Sequence, residues 1–182
     1  MQEIVTFIVV TLALAYVSRA SLLKPGSHGF YRFFAWECML GLFVLNMRYW
    51  HISDNPAFHY FSGILFSASL LLFLLSLSLL QMSGKPDDKR DDIPMFEFEK
   101  TTKLVTTGIY SYIRHPMYGS LFFLCWGFFF KQPSLTGSAL AVIASMLLVV
   151  TARVEEAENL RYFGEEYREY MKRTRMFVPL IL

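Results

Sequence analysis

The chain has 182 residues, of which 54% are apolar and 17% aromatic, and its formal net charge is only +2. Soluble domains are about 45–50% apolar, whereas the surplus in this chain lies in long uninterrupted apolar blocks. The composition therefore indicates one compact integral membrane domain. The small net charge excludes the broad basic surface of a nucleic-acid-binding protein.

Five apolar runs follow one another along the chain. Each is expected to form a helix that crosses the bilayer, since a span needs about 20 mostly apolar residues. The chain opens with Met1-Gln2-Glu3 and lacks the basic residues of a cleaved signal peptide, so the first run is expected to be a retained helix. The runs are Ile4 to Leu23, Phe30 to Trp50, Phe58 to Met82, Met117 to Phe130 and Leu135 to Ala152.

The fourth run would cover only about 21 Å of a bilayer core that is about 30 Å thick, so its helix is expected to be short or partly re-entrant. A tight turn at residues 131–134 joins it to the fifth run, and the two are expected to form a helical hairpin. The expected fold class is therefore all-α and integral to the membrane, with about five transmembrane helices and a C-terminal amphipathic helix.

The distribution of Lys and Arg predicts the orientation, because cytoplasmic loops carry an excess of positive charge. The loop after the first run, the loop after the third run and the C-terminal tail are expected on one side. Of the 17 Lys and Arg residues, only Arg48 and Lys131 fall on the other side. The N-terminus is therefore expected outside, and the C-terminus in the cytoplasm.

The expected organisation is a single domain with three N-terminal helices in residues 1–82, a cytoplasmic loop at 83–107 and a catalytic hairpin with a C-terminal helix at 108–182. In the loop, residues 85–92 are charged and solvated, and their four Asp show no ligand spacing for a metal. Residues 95–99 alternate apolar and charged side chains, which favours a short extended piece on the membrane surface. Two cysteines, Cys38 and Cys125, are expected to be buried thiols.

The tail from Glu155 to Arg173 is predicted to be one amphipathic helix, because apolar and acidic side chains recur at a spacing of three or four residues. An amphipathic helix that lies on the membrane would explain this spacing, but it does not explain paired Glu residues at the end of a spanning helix. The residues on the predicted common face are Glu156, Leu160, Phe163, Tyr167 and Tyr170.

Arg114 and His115 stand at the start of the fourth run, where charged side chains are costly and tend to be functional. The residue before a proline avoids the helical region and proline favours the first helical position, so Pro116 places His115 at the N-cap. The free N–H groups at that end, together with the Arg114 guanidinium, would favour a carboxylate or a phosphate. Alternatively, Arg114 reaches lipid phosphates and His115 only caps the helix.

Tyrosines near this point fit an aromatic belt at the membrane interface, and the pair Glu155-Glu156 ends the fifth run. The pair could accept hydrogen bonds from hydroxyl or ammonium groups, or remain solvated beside neighbouring arginines. The basic residues of the tail could bind anionic lipid or supply an arginine that orients a substrate. Together these elements fit a ligand with a carboxylate, an ammonium, a ribose and an adenine. The flanking tyrosines are Tyr110, Tyr112 and Tyr118.

From about Lys103 to Pro179 the chain resembles the membrane-embedded methyltransferases of the isoprenylcysteine carboxyl methyltransferase and phospholipid N-methyltransferase superfamily. The chain has Gly108-Ile109-Tyr110 where the family often has Gly-Pro-Tyr, and a proline would only stiffen that turn. The three N-terminal helices carry no matching motif. The matching elements are Lys103 to Tyr110, Arg114-His115-Pro116-Met117-Tyr118, Glu155-Glu156 with Leu160, and Phe163 to Tyr170.

The resemblance implies that S-adenosylmethionine is the methyl donor, held between the Arg-His-Pro-x-Tyr element and the Glu-Glu helix, with a lipophilic acceptor that enters from the bilayer. It implies no metal. The catalytic residues would be Arg173, Glu156 and Tyr170. The residues implied to bind the donor are Tyr110, Arg114, His115, Tyr118, Gly119, Glu155, Glu156, Asn159 and Tyr167.

The implied reaction is an in-line displacement at the sulfonium methyl, in which positioning and desolvation supply most of the rate. A carboxylate acceptor, held by Arg173, needs no general base, whereas an amine needs one, and a Glu or His115 would have to serve. Because no other base is evident, the sequence favours an isoprenylcysteine-type carboxylate over a phospholipid amine or a small thiol. The competing classes are an NADPH-dependent sterol-type reductase and a non-enzymatic membrane scaffold.

Overall fold

The computed structural model describes residues 1–50, 55–84, 96 and 99–177, and this part of the chain is helical without any regular strand. The α-helices are accompanied by 3₁₀ turns at Met47–Tyr49 and Gly108–Ser111. The α-helices are α1 Gln2–Val17, α2 Arg19–Leu22, α3 His28–Leu45, α4 Pro56–Ser83, α5 Pro116–Phe129, α6 Leu135–Phe163 and α7 Glu165–Arg173.

Within the described residues, two helices are long and apolar enough to cross a membrane, namely α4 with 28 residues and α6 with 29. The apolar helices α1 and α5 are shorter, with 16 and 14 residues. Only 11% of the most apolar part of α4 is buried inside the protein. Such an exposed apolar helix suits a lipid environment better than water. The five crossings expected from the sequence stay a prediction.

The helices pack as two close pairs, α3 against α6 and α4 against α5, and α1 lies on α3. Small residues make the first pair close, because Ala141 and Ala144 of α6 are fully buried against Met39 and Leu42 of α3. Small side chains let helix backbones approach each other in membrane proteins. Cys125 is also fully buried in this cluster, as expected from the sequence, while Cys38 is half-buried.

The second pair is joined by serine hydroxyls at intervals of seven residues. Ser62 Oγ donates to the carbonyl of Gly127 and Ser69 Oγ donates to the carbonyl of Ser120, each at 2.8 Å. A Cβ at Gly127 would lie 2.6 Å from the Phe66 ring, so the glycine is needed for the close approach. The α4–α5 contact therefore fixes where α5 begins, which is where the predicted site residues lie.

Helix α6 continues without a break from the apolar run to Phe163, although the sequence places the end of the span at Ala152. The pair Glu155-Glu156 therefore sits within a continuous helix, about one and a half turns beyond Val150. A rigid helix holds these two carboxylates in place relative to α5.

The predicted continuous helix from Glu155 to Arg173 is wrong, because it is divided at Gly164. This residue adopts φ 62° and ψ −129°, a conformation that L side chains rarely adopt. Its N–H donates to the Leu160 carbonyl at 3.0 Å and closes α6. The amphipathic helix at the C-terminus is therefore only α7, which buries Tyr167 and Tyr170.

The chain after α7 returns beside the lead into α5. The Arg114 N–H donates to the Arg175 carbonyl at 2.8 Å and the His115 N–H donates to the Met176 carbonyl at 3.1 Å. In return, the Arg175 N–H donates to the Tyr112 carbonyl at 3.0 Å. This short parallel pairing at Ile113 and Arg175 ties both ends of the predicted site together.

Other helix boundaries differ by a few residues from those predicted from the sequence. Helix α1 ends at Val17 and the short α2 follows it, where the sequence predicted one helix to Leu23. Helix α3 ends at Leu45, before the 3₁₀ turn, instead of at Trp50. The solvated run at 85–92, and most of the extended piece expected at 95–99, lie outside the described residues. Within the described residues, no group of three His, Cys, Asp or Glu could hold a metal ion.

Candidate functional site

A cavity of about 300 Å³ lies where the start of α5, the end of α6 and helix α7 meet, and pockets of this size hold small-molecule ligands. The lead into α5 and the two C-terminal helices supply one wall. Most of the residues implied by the resemblance are in that wall, namely Tyr110, Arg114, His115, Tyr118, Glu155, Asn159, Tyr167 and Tyr170.

Three of the implied residues do not line this cavity. Gly119 is buried, and a Cβ there would lie 3.2 Å from Leu72, so it serves the packing of α5 on α4. Arg173 is exposed at the end of α7. Glu156 is buried behind the wall, next to Arg114 and His115.

Arg114 holds Glu156 in a nearly buried ion pair. The Arg114 Nε donates to Glu156 Oε1 at 2.6 Å, and both side chains are about a tenth exposed. The Arg114 Nη1 also donates to the carbonyls of Met171, at 3.4 Å, and Thr174. The guanidinium that the sequence offers to a ligand anion is thus engaged by the protein, and it ties α6 to the end of α7.

His115 occupies the N-cap of α5 and Pro116 its first position, as the sequence predicts. The imidazole is only 5% exposed, with Nδ1 3.9 Å from Glu155 Oε2 and Nε2 3.4 Å from Glu156 Oε1. Nε2 is buried, and in the described structure it has no well-aligned hydrogen bond. The ring stacks on Tyr118 with a centroid distance of 5.5 Å. The imidazole is therefore held flat between two carboxylates.

The tyrosines divide into two groups. Tyr112 is 64% exposed, as in an interfacial belt, whereas Tyr110, Tyr167 and Tyr170 are buried in the cavity wall. The Tyr170 hydroxyl donates to the Tyr110 carbonyl at 2.6 Å and joins α7 to the lead into α5. Burial raises the pKa of all three buried phenols above the ordinary value of 10, so they are neutral hydrogen-bonding groups at physiological pH.

The cavity contains a second charged cluster, which the sequence did not predict. Arg32 of α3 donates to Glu99, and both side chains line the cavity. His28 lies behind them, with Nε2 3.8 Å from Glu99 Oε2 and Nδ1 2.6 Å from Glu158 Oε2. Burial would raise the pKa of Glu99, but Arg32 and His28 more than offset this and hold it at about 2. The available signal was an arginine inside an apolar run, which tends to face a functional interior.

The other end of the cavity is apolar and aromatic. The Arg32 guanidinium lies 4.5 Å above the centre of the Phe96 ring, and Phe96 stacks on Trp36 with a centroid distance of 6.0 Å. Phe73 of α4 also lines the cavity and is 37% exposed on the surface of the protein. The remaining apolar residues in this part of the lining include Leu80, Leu104, Met117 and Leu121. The cavity thus joins a charged end to an apolar end that reaches the exposed face of α4.

The chain matches the phospholipid methyltransferase family over residues 66–166, which is more than half of its length. The match includes the Arg-His-Pro-x-Tyr element and the Glu155-Glu156 pair, so it contains much of the charged end of the cavity. It does not include α3, which supplies Arg32 and Trp36. No solved structure matches the chain.

Curated relatives match a shorter segment. A methanethiol S-methyltransferase of Crocosphaera subtropica is 30% identical over 81 residues, which are 43% of this chain and 30% of that protein. A protein-S-isoprenylcysteine O-methyltransferase of Schizosaccharomyces pombe is 35% identical over 82 residues, which are 43% of this chain and 34% of that protein. Methanethiol S-methyltransferase 1 of Bradyrhizobium diazoefficiens is 30% identical over 73 residues, 39% of this chain and 24% of that protein.

The chain therefore aligns with only a quarter to a third of the length of these relatives, and they are named for different methyl acceptors. The family match rests on a longer segment that contains both charged motifs and the helices that position them. On that match, the chain belongs to the phospholipid methyltransferase family.

Proposed function

We propose that the chain is a membrane-embedded methyltransferase that uses S-adenosylmethionine as its donor. The observation that carries the proposal is a single cavity whose wall contains the Arg-His-Pro-x-Tyr element and Glu155 of α6 together. These elements lie about 40 residues apart in the sequence, and the fold brings them to one cavity. The names of the family and of its curated relatives support the same activity.

The residues present fit this donor. Among the described residues, Glu155 is the carboxylate of the cavity wall that pairs with neither Lys nor Arg, and its nearest basic group is the His115 imidazole, with Nδ1 at 3.9 Å. It would therefore hold a positive group, the donor's ammonium or sulfonium. Asn159, Tyr167 and the N–H groups at the start of α5, which no described side chain caps, would accommodate hydroxyl and carboxylate groups. When bound, the donor supplies an electrophilic methyl group on a sulfonium.

The residues behind the wall would act by preorganisation. Glu156 holds Arg114, and Arg114 holds the carbonyls that end α7, so the positions of His115 and Tyr170 depend on this pair. A displacement at a sulfonium already has a good leaving group, so its rate depends chiefly on how the reacting atoms are positioned and desolvated. In this proposal Glu156 and Tyr170 are positioning residues.

The acceptor is proposed to enter from the bilayer at the apolar end of the cavity, where the exposed ring of Phe73 marks the route. Candidate acceptors are an isoprenylcysteine-type carboxylate, a phospholipid amine and a thiol. The expectation that Arg173 orients the acceptor has no support from its exposed position. For Arg173 to orient the acceptor, α7 would have to move when the substrate binds.

The proposed membrane placement has five crossings, by α1, α3, α4, α5 and α6, with the N-terminus outside and the C-terminus in the cytoplasm. The chain would form a single domain, with the loop at 83–107 on the cytoplasmic side. The cavity lies at the end of α6 that carries Arg153 and Arg161, and the excess of positive charge on that side supports the orientation. The soluble donor would then reach the cavity from the cytoplasm.

Methyl transfer can be tested directly with the purified protein. Donor labelled in its methyl group is incubated with the protein and a total lipid extract, and label is counted in the lipid and small-molecule fractions. Protein-dependent appearance of label in a product, with release of S-adenosylhomocysteine, is the expected result. An absence of both products with a folded sample would favour the scaffold alternative.

A further inference from the structure

The cavity wall contains two guanidinium groups, and both already hold a carboxylate. Arg32 donates to Glu99, and Arg114 donates to Glu156. A ligand carboxylate that displaced either partner would leave a buried glutamate without its cation, which is costly. Among the residues that the structure describes, the only other basic side chain in the lining is His115. The described wall is therefore poorly suited to hold an acceptor carboxylate beside that of the donor.

His115 has the geometry of a base. Glu156 lies behind the wall and faces Nε2, whereas Glu155 is in the wall and faces Nδ1. Nδ1 is therefore on the cavity side of the ring. The stacked Tyr118 fixes the plane of the ring. The Glu156 carboxylate, 3.4 Å from Nε2, would stabilise the imidazolium that forms when Nδ1 takes a proton.

We infer that His115 Nδ1 is the general base of the proposed methyl transfer, and that the acceptor is a nucleophile which carries its proton into the cavity, a thiol or an amine. The inference rests on the proposed function and deepens it. The sequence favours a carboxylate only because no base other than a Glu or His115 is evident, and the structure gives His115 the geometry of a base. A carboxylate arrives ionised, needs no base and would face the negative Glu155.

The acceptor sulfur or nitrogen forms a bond to the methyl carbon, and the bond from that carbon to the donor sulfur breaks with its electron pair left on the sulfur. The acceptor proton passes to His115 Nδ1, while Nε2 keeps its own proton towards Glu156. The imidazolium then releases one proton to solvent. The products are the methylated acceptor, S-adenosylhomocysteine and a proton.

Two thiols that differ in acidity test the base. Phenylmethanethiol is protonated at neutral pH, whereas thiophenol, shorter by one methylene, is largely ionised, and only the thiolate is the nucleophile. General base catalysis contributes about 10²–10⁴-fold. His115→Gln is therefore expected to lower kcat/KM by about 100-fold or more for phenylmethanethiol, and by less than about tenfold for thiophenol. An equal loss for both thiols would overturn the role of His115 as base.

The matched control is His59→Gln, because His59 lies on α4 beside Lys131, at the other end of the helix pair. It is expected to leave kcat/KM unchanged for both thiols. Both variants are checked for S-adenosylhomocysteine affinity by calorimetry, since retained affinity shows that a loss of rate is not a loss of fold.

The acceptor class is tested on the wild-type protein, so the inference stays falsifiable if His115→Gln does not fold. The panel contains phenylmethanethiol, a dialkyl phosphatidylethanolamine and a prenylated N-acetylcysteine, whose nucleophile is a carboxylate. We expect methylation of the thiol or the amine, and not of the carboxylate. Which of the two compounds is methylated shows whether the acceptor is a thiol or an amine. Methylation of the carboxylate alone, with S-adenosylhomocysteine binding intact, would overturn the inference and leave the proposed function standing. Absence of that binding would overturn both.

Discussion

Arg114 Nε lies 2.6 Å from Glu156 Oε1, and this contact joins the residue before the α5 N-cap to the middle of α6. Because the same guanidinium also holds the carbonyls of Met171 and Thr174, one side chain connects α5, α6 and the end of α7. The pair lies directly behind the cavity, so the order of the site depends on a contact that no ligand makes.

Glu156→Gln is expected to lower the stability of the folded protein more than it lowers the affinity for a ligand. From the sequence alone, this substitution is expected to weaken donor binding and leave the fold intact. The structure changes that prediction, because removal of one partner of a buried pair costs about 3–5 kcal/mol. Thermal unfolding in detergent measures the effect.

The matched control for Glu156→Gln is Glu165→Gln. Glu165 pairs with Arg168 at 3.6 Å, but both side chains are about two-thirds exposed, and such surface pairs contribute about 0–1 kcal/mol. Equal unfolding temperatures for the two variants would show that the Arg114–Glu156 pair does not support the fold.

The Glu99 cluster predicts a specific loss of stability in acid. The pKa of Glu99 in the folded protein is lowered from its ordinary value of 4.5 to about 2. A lowered folded-state pKa contributes stability that is fully present above about pH 4.5 and is lost as the pH falls towards 2. Glu99→Gln should therefore be less stable at neutral pH, because Arg32 loses its partner, and should lose less stability than the wild type between pH 4.5 and 2. Parallel pH curves of unfolding temperature would contradict this.

Gly127→Ala is expected to loosen the contact between α4 and α5. The new methyl group would lie 2.6 Å from the Phe66 ring, and overpacking of this kind costs about 1–3 kcal/mol. At roughly 2–4 °C per kcal/mol for a chain of this size, the unfolding temperature should fall by several degrees. Gly63→Ala on α4 is the control, because a Cβ there meets nothing within 4 Å. A fall of the same size in both variants would count against close packing at Gly127.

Arg173→Ala separates acceptor binding from donor binding. Arg173 is exposed and outside the cavity lining, so S-adenosylhomocysteine affinity should not change. The proposal that Arg173 orients the acceptor predicts a lower rate of transfer with that affinity intact. An unchanged rate of transfer would remove Arg173 from the site, and an equal loss of both would place it at the donor.

The sequence predicts the middle of each helix well, because long apolar runs and the His115-Pro116 step are local signals. Its errors come from interactions that are not local. The spacing of three or four residues continues through Gly164, so periodicity alone cannot show that the helix is divided there. Glu155 and Glu156 are equivalent in the sequence. They point about 100° apart on a helix, and only the packing of α6 shows that Glu155 faces the cavity.

The contact between Arg32 and Glu99 in the site also depends on an interaction that is not local in the sequence. They are 67 residues apart, and they meet at the cavity, where α3 contributes Arg32 and the chain after α4 contributes Glu99. The sequence counts Arg32 only as a positive charge near the end of a span. Its role in the cavity depends on the tertiary fold, which no motif in the first three helices records.

The most direct test of the account is calorimetric titration of S-adenosylhomocysteine into the detergent-purified protein and into Glu155→Gln, with NADPH as the comparison ligand. We expect micromolar binding to the wild type, no binding of NADPH, and a roughly 10- to 100-fold weaker affinity for Glu155→Gln, since a hydrogen bond to a charged group contributes about 1.5–3 kcal/mol. Glu166→Gln, an exposed neighbour on α7, should bind like the wild type. Binding of NADPH in place of S-adenosylhomocysteine would contradict the account and favour a reductase. Equal affinities for Glu155→Gln and the wild type would remove Glu155 from the donor site.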